Sequence, residues 1–146
     1  DDQGRTYYTE ELKEAIAKKG MEGRFAFVRH VTDVPAMMMI SDVVVSASIE
    51  PEAFGRIAAE GESMGRIVVA SNIGGSLENL IDGKTGKHFE SGNAQSLAEA
   101  LTWALELSTE EREKIGKAAI EHVHENFTKE IMCNKTIAVY NELVNM

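Results

Sequence analysis

The sequence predicts an α/β fold, a parallel sheet covered by helices on both faces. Strand-like and helix-like segments alternate along its 146 residues. The central strand segments, Val43 to Ala47 and Ile67 to Ala70, are unbroken runs rich in valine and isoleucine. A half-exposed sheet would instead alternate polar and apolar residues. The segments between them carry helical spacing, and strand–helix alternation places helices against a parallel sheet. The length suits one domain with a real core.

Taken in order, Thr9 to Lys19 reads as a helix whose stripe is Leu12, Ala15 and Ile16, with Gly20 ending it. Arg24 to Arg29 (RFAFVR) reads as a strand. Asp33 starts a short helix through Pro35 and Met37-Met38-Met39, with proline tolerated in the first turn and the methionines filling core. Val43 to Ala47 is a strand, Gly55 to Met64 a helix, and Ile67 to Ala70 the next strand. Gly74-Gly75 opens a short helix containing Leu77, Leu80 and Ile81. Turns at Asp82-Gly83 and Thr85-Gly86 precede a short strand, Lys87 to Phe89. Three helices follow, Asn93 to Leu107, Ser108 to Asn126 and Thr128 to Val144, the second opened by Ser108 and Glu111 at capping-box spacing.

Composition narrows the function. There are 24 acidic and 15 basic residues, a net charge of −9, which argues against a nucleic-acid partner. Cys133 is the only cysteine, so no internal disulfide forms, and a reducing cytoplasm is the expected setting. No Cys/His spacing suits a metal, and no metal site is expected. No apolar run reaches the roughly 20 residues that span a membrane. The chain opens Asp1-Asp2-Gln3-Gly4 without methionine, so its true start is expected upstream.

Ligands of open parallel sheets bind where strands end and helices begin. Two such places stand out, Ser46 to Gly55 and Ser71 to Gly75. In the first, Glu52 and Glu60 stand eight apart with Phe54-Gly55 between them. A helix starting near Gly55 leaves the N–H groups of Phe54, Gly55 and Arg56 free, which makes a diphosphate site aided by the helix dipole. Two carboxylates beside a phosphate need other partners, and hydroxyl groups supply them. Ribose, diphosphate and hexose in that order describe a nucleotide sugar. Glu50 and Glu62, His122 and His124, and the charges of Lys84 and Arg66 read as solvated surface. Gly74-Gly75 reads equally as a plain turn or as a place of close ligand approach. Glu78 is a secondary candidate.

Five ordered elements carry a resemblance: Glu52 to Glu60, Phe54-Gly55, RIVVAS (Arg66 to Ser71), Gly74-Gly75-Ser76-Leu77-Glu78, and Asp82-Gly83-Lys84-Thr85-Gly86. Over roughly residues 4 to 145 the chain resembles the carboxy-terminal, nucleotide-sugar-binding domain of family 4 (group 1) retaining glycosyltransferases, which have the GT-B fold of two Rossmann-like domains. EPEAFGR is most similar to bacterial members that build lipopolysaccharide core or other surface glycans. The resemblance implies that Glu52 is catalytic, touching donor-sugar hydroxyls near the reacting centre, and that Glu60 holds the ribose. It implies donor contacts from Phe54, Gly55 and Arg56, and base packing at His30 and Val31. It implies retention, no bound metal or other cofactor, and GDP-mannose or a UDP-sugar as donor. The acceptor would be a glycan or lipid-linked molecule, met at the cytoplasmic face of the membrane with peripheral association of the full enzyme.

The pattern departs from the family at Ile67, where proline is usual, and at Arg29, where glycine is common. By the same resemblance residues 1–146 form a partial domain. The family's basic pair, its first two strands (order 3-2-1-4-5-6) and its acceptor domain are expected before Asp1. Arg24 to Arg29 would then lack neighbours, and the open edges invite instability or self-association. Such a piece is expected to bind donor without transferring sugar. The rival readings are a degenerate remnant of such an enzyme and a non-catalytic nucleotide-binding module.

Overall fold

The computed structural model describes residues 6–28 and 30–145. They form two compact units that divide between Val34 and Pro35. In the first unit, α1 (Thr6–Lys18) closes at Gly20, where the Met21 N–H reaches back to the Ile16 carbonyl at 3.1 Å. A single 3-10 turn, Glu22–Arg24, follows. The stripe of Leu12, Ala15 and Ile16 faces Met21, Phe25 and Phe27 across an apolar groove of about 300 Å³.

The expected strand Arg24 to Arg29 does not form over its described part, and Arg29 lies outside the described residues. The backbone at Phe25 is extended (φ −121°, ψ 140°), but residues 25–28 pair with no strand among the described residues. A strand exists only through its neighbour's amides and carbonyls. Without them the segment keeps its conformation and leaves Phe25, Phe27 and Val28 about half exposed.

The second unit holds the sheet. Strands β1 (Val43–Ser46), β2 (Ile67–Ser71) and β3 (Lys87–Phe89) are parallel and lie in chain order. Val44 stands opposite Val68, and Ala70 opposite His88. Every residue of β2 is buried, and alternate side chains serve opposite layers. Val68 and Ala70 pack with Met38 of α2 (Val34–Met39), Val44, Ala58 of α3 (Arg56–Ser63) and Leu80. Ile67 and Val69 pack with Phe89, with Ala100 and Ala104 of α5 (Ala94–Glu106), and with Ile115 of α6 (Thr109–Asn126). Burying each valine of β2 contributes about 2 kcal/mol. Among the methionines expected in the core only Met38 is buried, because a short helix turns one face inward; Met37 and Met39 are exposed.

Local chemistry fixes the helix ends. Asn93 accepts the Gln95 and Ser96 amides at the start of α5, and Ser108 with Glu111 forms the expected capping box on α6. Thr128 caps α7 (Lys129–Val144) through the Ile131 amide. Each such cap contributes about 1 kcal/mol. Arg112 donates to the carbonyls of Ala104, Leu107 and Asp42, tying the end of α5 to the start of β1. Arg66, expected as free surface charge, is half-buried and donates to the Met39 carbonyl at the end of α2. Between β2 and β3 lies only the short α4 (Ser76–Asn79), so Leu80 and Ile81 follow the helix instead of belonging to it. His122 is half-buried as well, its ring set edge-on to Phe127 at 5.3 Å. Among the described residues no helix is long and apolar enough to cross a membrane.

The largest correction is Glu62, expected at the surface and found fully buried. It lies four residues after the buried Ala58, on the inward face of α3. Burial pushes its carboxyl up to about 7, with the Thr85 hydroxyl pulling the other way. Neither carboxylate oxygen has a protein partner in hydrogen-bonding geometry. The folded state therefore favours the protonated acid. That contribution is fully present below the ordinary carboxyl pKa of 4.5 and is lost as pH rises through about 7. Glu62→Gln should match wild type near pH 4.5 and exceed it by on the order of 3 kcal/mol at pH 8. Urea denaturation across that range measures the difference; parallel pH profiles would contradict it.

Candidate active site at the carboxyl ends of the strands

β1 and β2 are adjacent and parallel, so the loops that leave them emerge side by side. The chain leaves β1 at Ser46 and reaches α3 at Arg56; it leaves β2 at Ser71 and reaches α4 at Ser76. The two loops touch backbone to backbone. The Gly75 N–H donates to the Glu52 carbonyl at 2.8 Å. A Cβ on Gly74 would stand 2.6 Å from the Glu52 oxygen, and one on Gly75 would overlap the Phe54 main chain. Neither position could carry a side chain without displacing the first loop. The glycine pair seats the first loop on the second.

Side chains complete the join. The Asn79 amide donates to the carbonyls of Phe54 and Gly55. Ser76 Oγ donates to the carbonyls of Ser71 and Ile73, which fixes the second loop on its own strand. Ser91, after β3, donates its hydroxyl to the Ser48 carbonyl and its N–H to Asn72 Oδ1. All three strand ends are therefore tied together.

The structure brings five of the sequence-derived candidates onto the first loop and its helix. Glu52 is exposed, and its carboxylate accepts the Ser48 hydroxyl. It lines a narrow cleft with Ser46, Ser48, Gly55, Ser71, Ile73 and Ser76. Phe54 is partly exposed, its ring edge-on to Phe127 at 5.6 Å. Gly55 holds a left-handed conformation (φ 73°, ψ 57°) at the start of α3, where a side chain would be strained. The N–H groups of Phe54, Gly55 and Arg56 make no hydrogen bond among the described residues. Arg56 is exposed and donates through Nε and Nη2 to Glu60 Oε1, at 3.1 and 2.7 Å. Glu60 Oε2 is left without a partner among the described residues.

His30 and Val31 belong to the first unit, His30 exposed and Val31 half-buried. Glu78 is exposed on α4. Asn79, Ser48 and Ser76 were not singled out in the sequence. Ser48 stands four residues before Glu52 and Asn79 four after Gly75, but short polar residues near loops carry no pattern of their own. A wider groove of about 400 Å³ lies where the strands begin, between the turn at Gly83 and Lys84, Trp103 of α5, and Glu111 and Lys114 of α6. Ligands of such sheets bind at the opposite end, where the strands stop.

With this geometry in place, likeness to known proteins is informative. Residues 4–122 match the family model described as "Glycosyl transferases group 1". A D-inositol 3-phosphate glycosyltransferase of Kribbella flavida is 35% identical over 66% of this chain and 22% of its own length. The lipopolysaccharide core biosynthesis mannosyltransferase LpcC of Rhizobium leguminosarum is 30% identical over 94% of this chain and 38% of its own. Among solved structures, a glycosyltransferase from Rickettsia africae superposes with a TM-score of 0.93 at 36% identity, covering 99% of this chain and 38% of that one. HepE of Anabaena, in complex with UDP-glucose, superposes at 0.85 with 30% identity, covering 98% of this chain and 38% of its own. The chain thus spans between about a fifth and two fifths of the length of these relatives.

Gly75 gives a clean test of the seat between the loops. Its φ is −61°, where alanine is at ease and would ordinarily stabilise by up to about 1 kcal/mol. The overlap with Phe54 reverses that sign. Gly75→Ala should lose about 2 kcal/mol or more in chemical denaturation. Gly83→Ala, at a positive φ but in open space, should lose only about 1 kcal/mol. Equal stability of Gly75→Ala and wild type would remove the close seat.

Proposed function

The chain belongs to the group 1 glycosyltransferases, and from that premise we propose that its second unit holds the diphosphate and sugar of a nucleotide-sugar donor. In the full-length enzyme the sugar passes with retention to a glycan or lipid-linked acceptor. The observation that carries the reading is the set of three unbonded amides, Phe54 to Arg56, at the start of α3 with Glu52 before them and Glu60 after them. Amides at a helix start favour an anion, and the helix dipole adds to the attraction. The complexes of HepE with UDP and glucose support this choice of ligand.

The chemistry follows from where charge develops. The bond between the sugar's anomeric carbon and the diphosphate oxygen breaks, and the diphosphate takes the electron pair. The acceptor oxygen bonds to that carbon on the same face and passes its proton to the departing diphosphate oxygen. Fixed N–H groups aimed at the departing diphosphate lower the barrier, since they need no reorganisation as charge builds. Glu52, steadied by Ser48, accepts hydroxyl hydrogen bonds from the donor sugar and offers negative charge beside the oxocarbenium-like centre. Glu60 keeps Oε2 for the ribose hydroxyls while Arg56 engages Oε1. The amides take the part a bound metal would play, and the proposed transfer is metal-independent.

GDP-mannose or a UDP-sugar is the proposed donor, and a surface glycan built at the cytoplasmic face of the membrane the proposed product. The LpcC likeness supports mannose and lipopolysaccharide, and the HepE likeness supports UDP-glucose.

Calorimetric titration with GDP-mannose and UDP-glucose tests the reading. One of them should bind saturably. Glu60→Ala should weaken it at least tenfold, the loss of hydrogen bonds to a charged acceptor being about 1.5–3 kcal/mol. Unchanged affinity in a folded variant would contradict the role of Glu60.

A further inference from the structure

Asn79 is 1% exposed at the end of α4, and the usual occupant of such a place is apolar. Its side-chain nitrogen donates to the carbonyl oxygens of Phe54 and, at 3.2 Å, Gly55, both across the loop junction. Its Oδ1 has no protein partner. An orphaned buried acceptor has a desolvation cost of about 1–3 kcal/mol, so packing alone would favour leucine here.

The two bonds have a geometric consequence. In a trans peptide the C=O and the following N–H point in opposite directions, and the described chain has no cis bonds. The Phe54 carbonyl shares a plane with the Gly55 N–H, and the Gly55 carbonyl shares one with the Arg56 N–H. Drawing both carbonyls toward Asn79 turns both amides away from it. Gly55 would otherwise let the Phe54–Gly55 plane rotate, because glycine enters left- and right-handed regions with similar ease. The Gly55 carbonyl is also held by the Ala58 and Ala59 amides of α3, at 3.1 and 3.5 Å, so the plane that Asn79 itself fixes is the one carrying the Gly55 amide.

We propose that Asn79 is a positioning residue for donor binding, one that aims the Gly55 amide at the donor's diphosphate. This rests on the donor-site reading above. Its signature is selective: losing the Asn79 amide should weaken the grip on the diphosphate and leave the nucleoside contacts intact. Asn79→Leu keeps the volume and removes the donor, whereas Asn79→Asp places a carboxylate against two carbonyls.

The experiment compares the affinities of uridine with UDP, and of guanosine with GDP, for wild type and both variants. Wild type should bind one nucleoside diphosphate more tightly than its nucleoside, and the variants should lose at least tenfold of that advantage at unchanged nucleoside affinity. Variants that keep the full advantage, or that lose nucleoside and diphosphate binding by the same factor, would overturn the proposal. A wild type with no advantage for the diphosphate would instead overturn the donor-site reading. Should the variants fail to fold, amide NMR on the wild type decides. The Gly55 and Arg56 resonances should shift with the diphosphate and not with the nucleoside, while the Asn79 side-chain protons exchange slowly. Fast exchange of those protons would overturn the proposal.

Discussion

Gly75 lies so close to Phe54 that no side chain could stand on it, and the candidate site depends on that contact. Two parallel strands alone would deliver two loops near one another without fixing their heights or directions. Backbone contact fixes both. The Gly75 to Glu52 hydrogen bond sets the register of the loops, and the Asn79 amide, with the first amides of α3, holds the peptide planes beyond it. A loop held in this way presents Glu52 and three open amides as a unit, without ordering them when a ligand arrives.

The sheet explains why these loops meet at all. β2 is buried along its whole length and feeds both layers, so it must be central among the described strands. Its neighbour β1 is held at its start by Arg112 and followed by α3, which packs on one face through Ala58. The same placement buries Glu62, one turn beyond Ala58, and gives the helix a carboxyl whose ionisation opposes folding. Stability and site are thus set by the same short helix, at opposite ends.

Much of this was legible in the sequence, for identifiable reasons. The valine-rich runs at Val43 and Ile67 read as strands, although only β2 is buried throughout and β1 leaves Val45 exposed, and the caps at Asn93, Ser108 and Thr128 are local chemistry that needs no tertiary context. Glu52 to Glu60 marked the loop because glycine and carboxylates sit together there. What escaped depends on partners distant in the chain. RFAFVR has a strand's composition but lacks a paired neighbour among the described residues. Glu62 looked solvated because carboxylates usually are, although its spacing from Ala58 placed it on the inward face. Asn79 acts across a separation of 25 residues that no local pattern records.

The central claim is that donor binding occurs at the carboxyl ends of β1 and β2. Hydrogen–deuterium exchange of the folded chain, with and without saturating GDP-mannose or UDP-glucose, tests it most directly. The account predicts slowed exchange in peptides covering residues 46–60 and 71–79. Protection appearing instead around the groove of Trp103 and Lys114, or nowhere in a chain shown to be saturated, would contradict it.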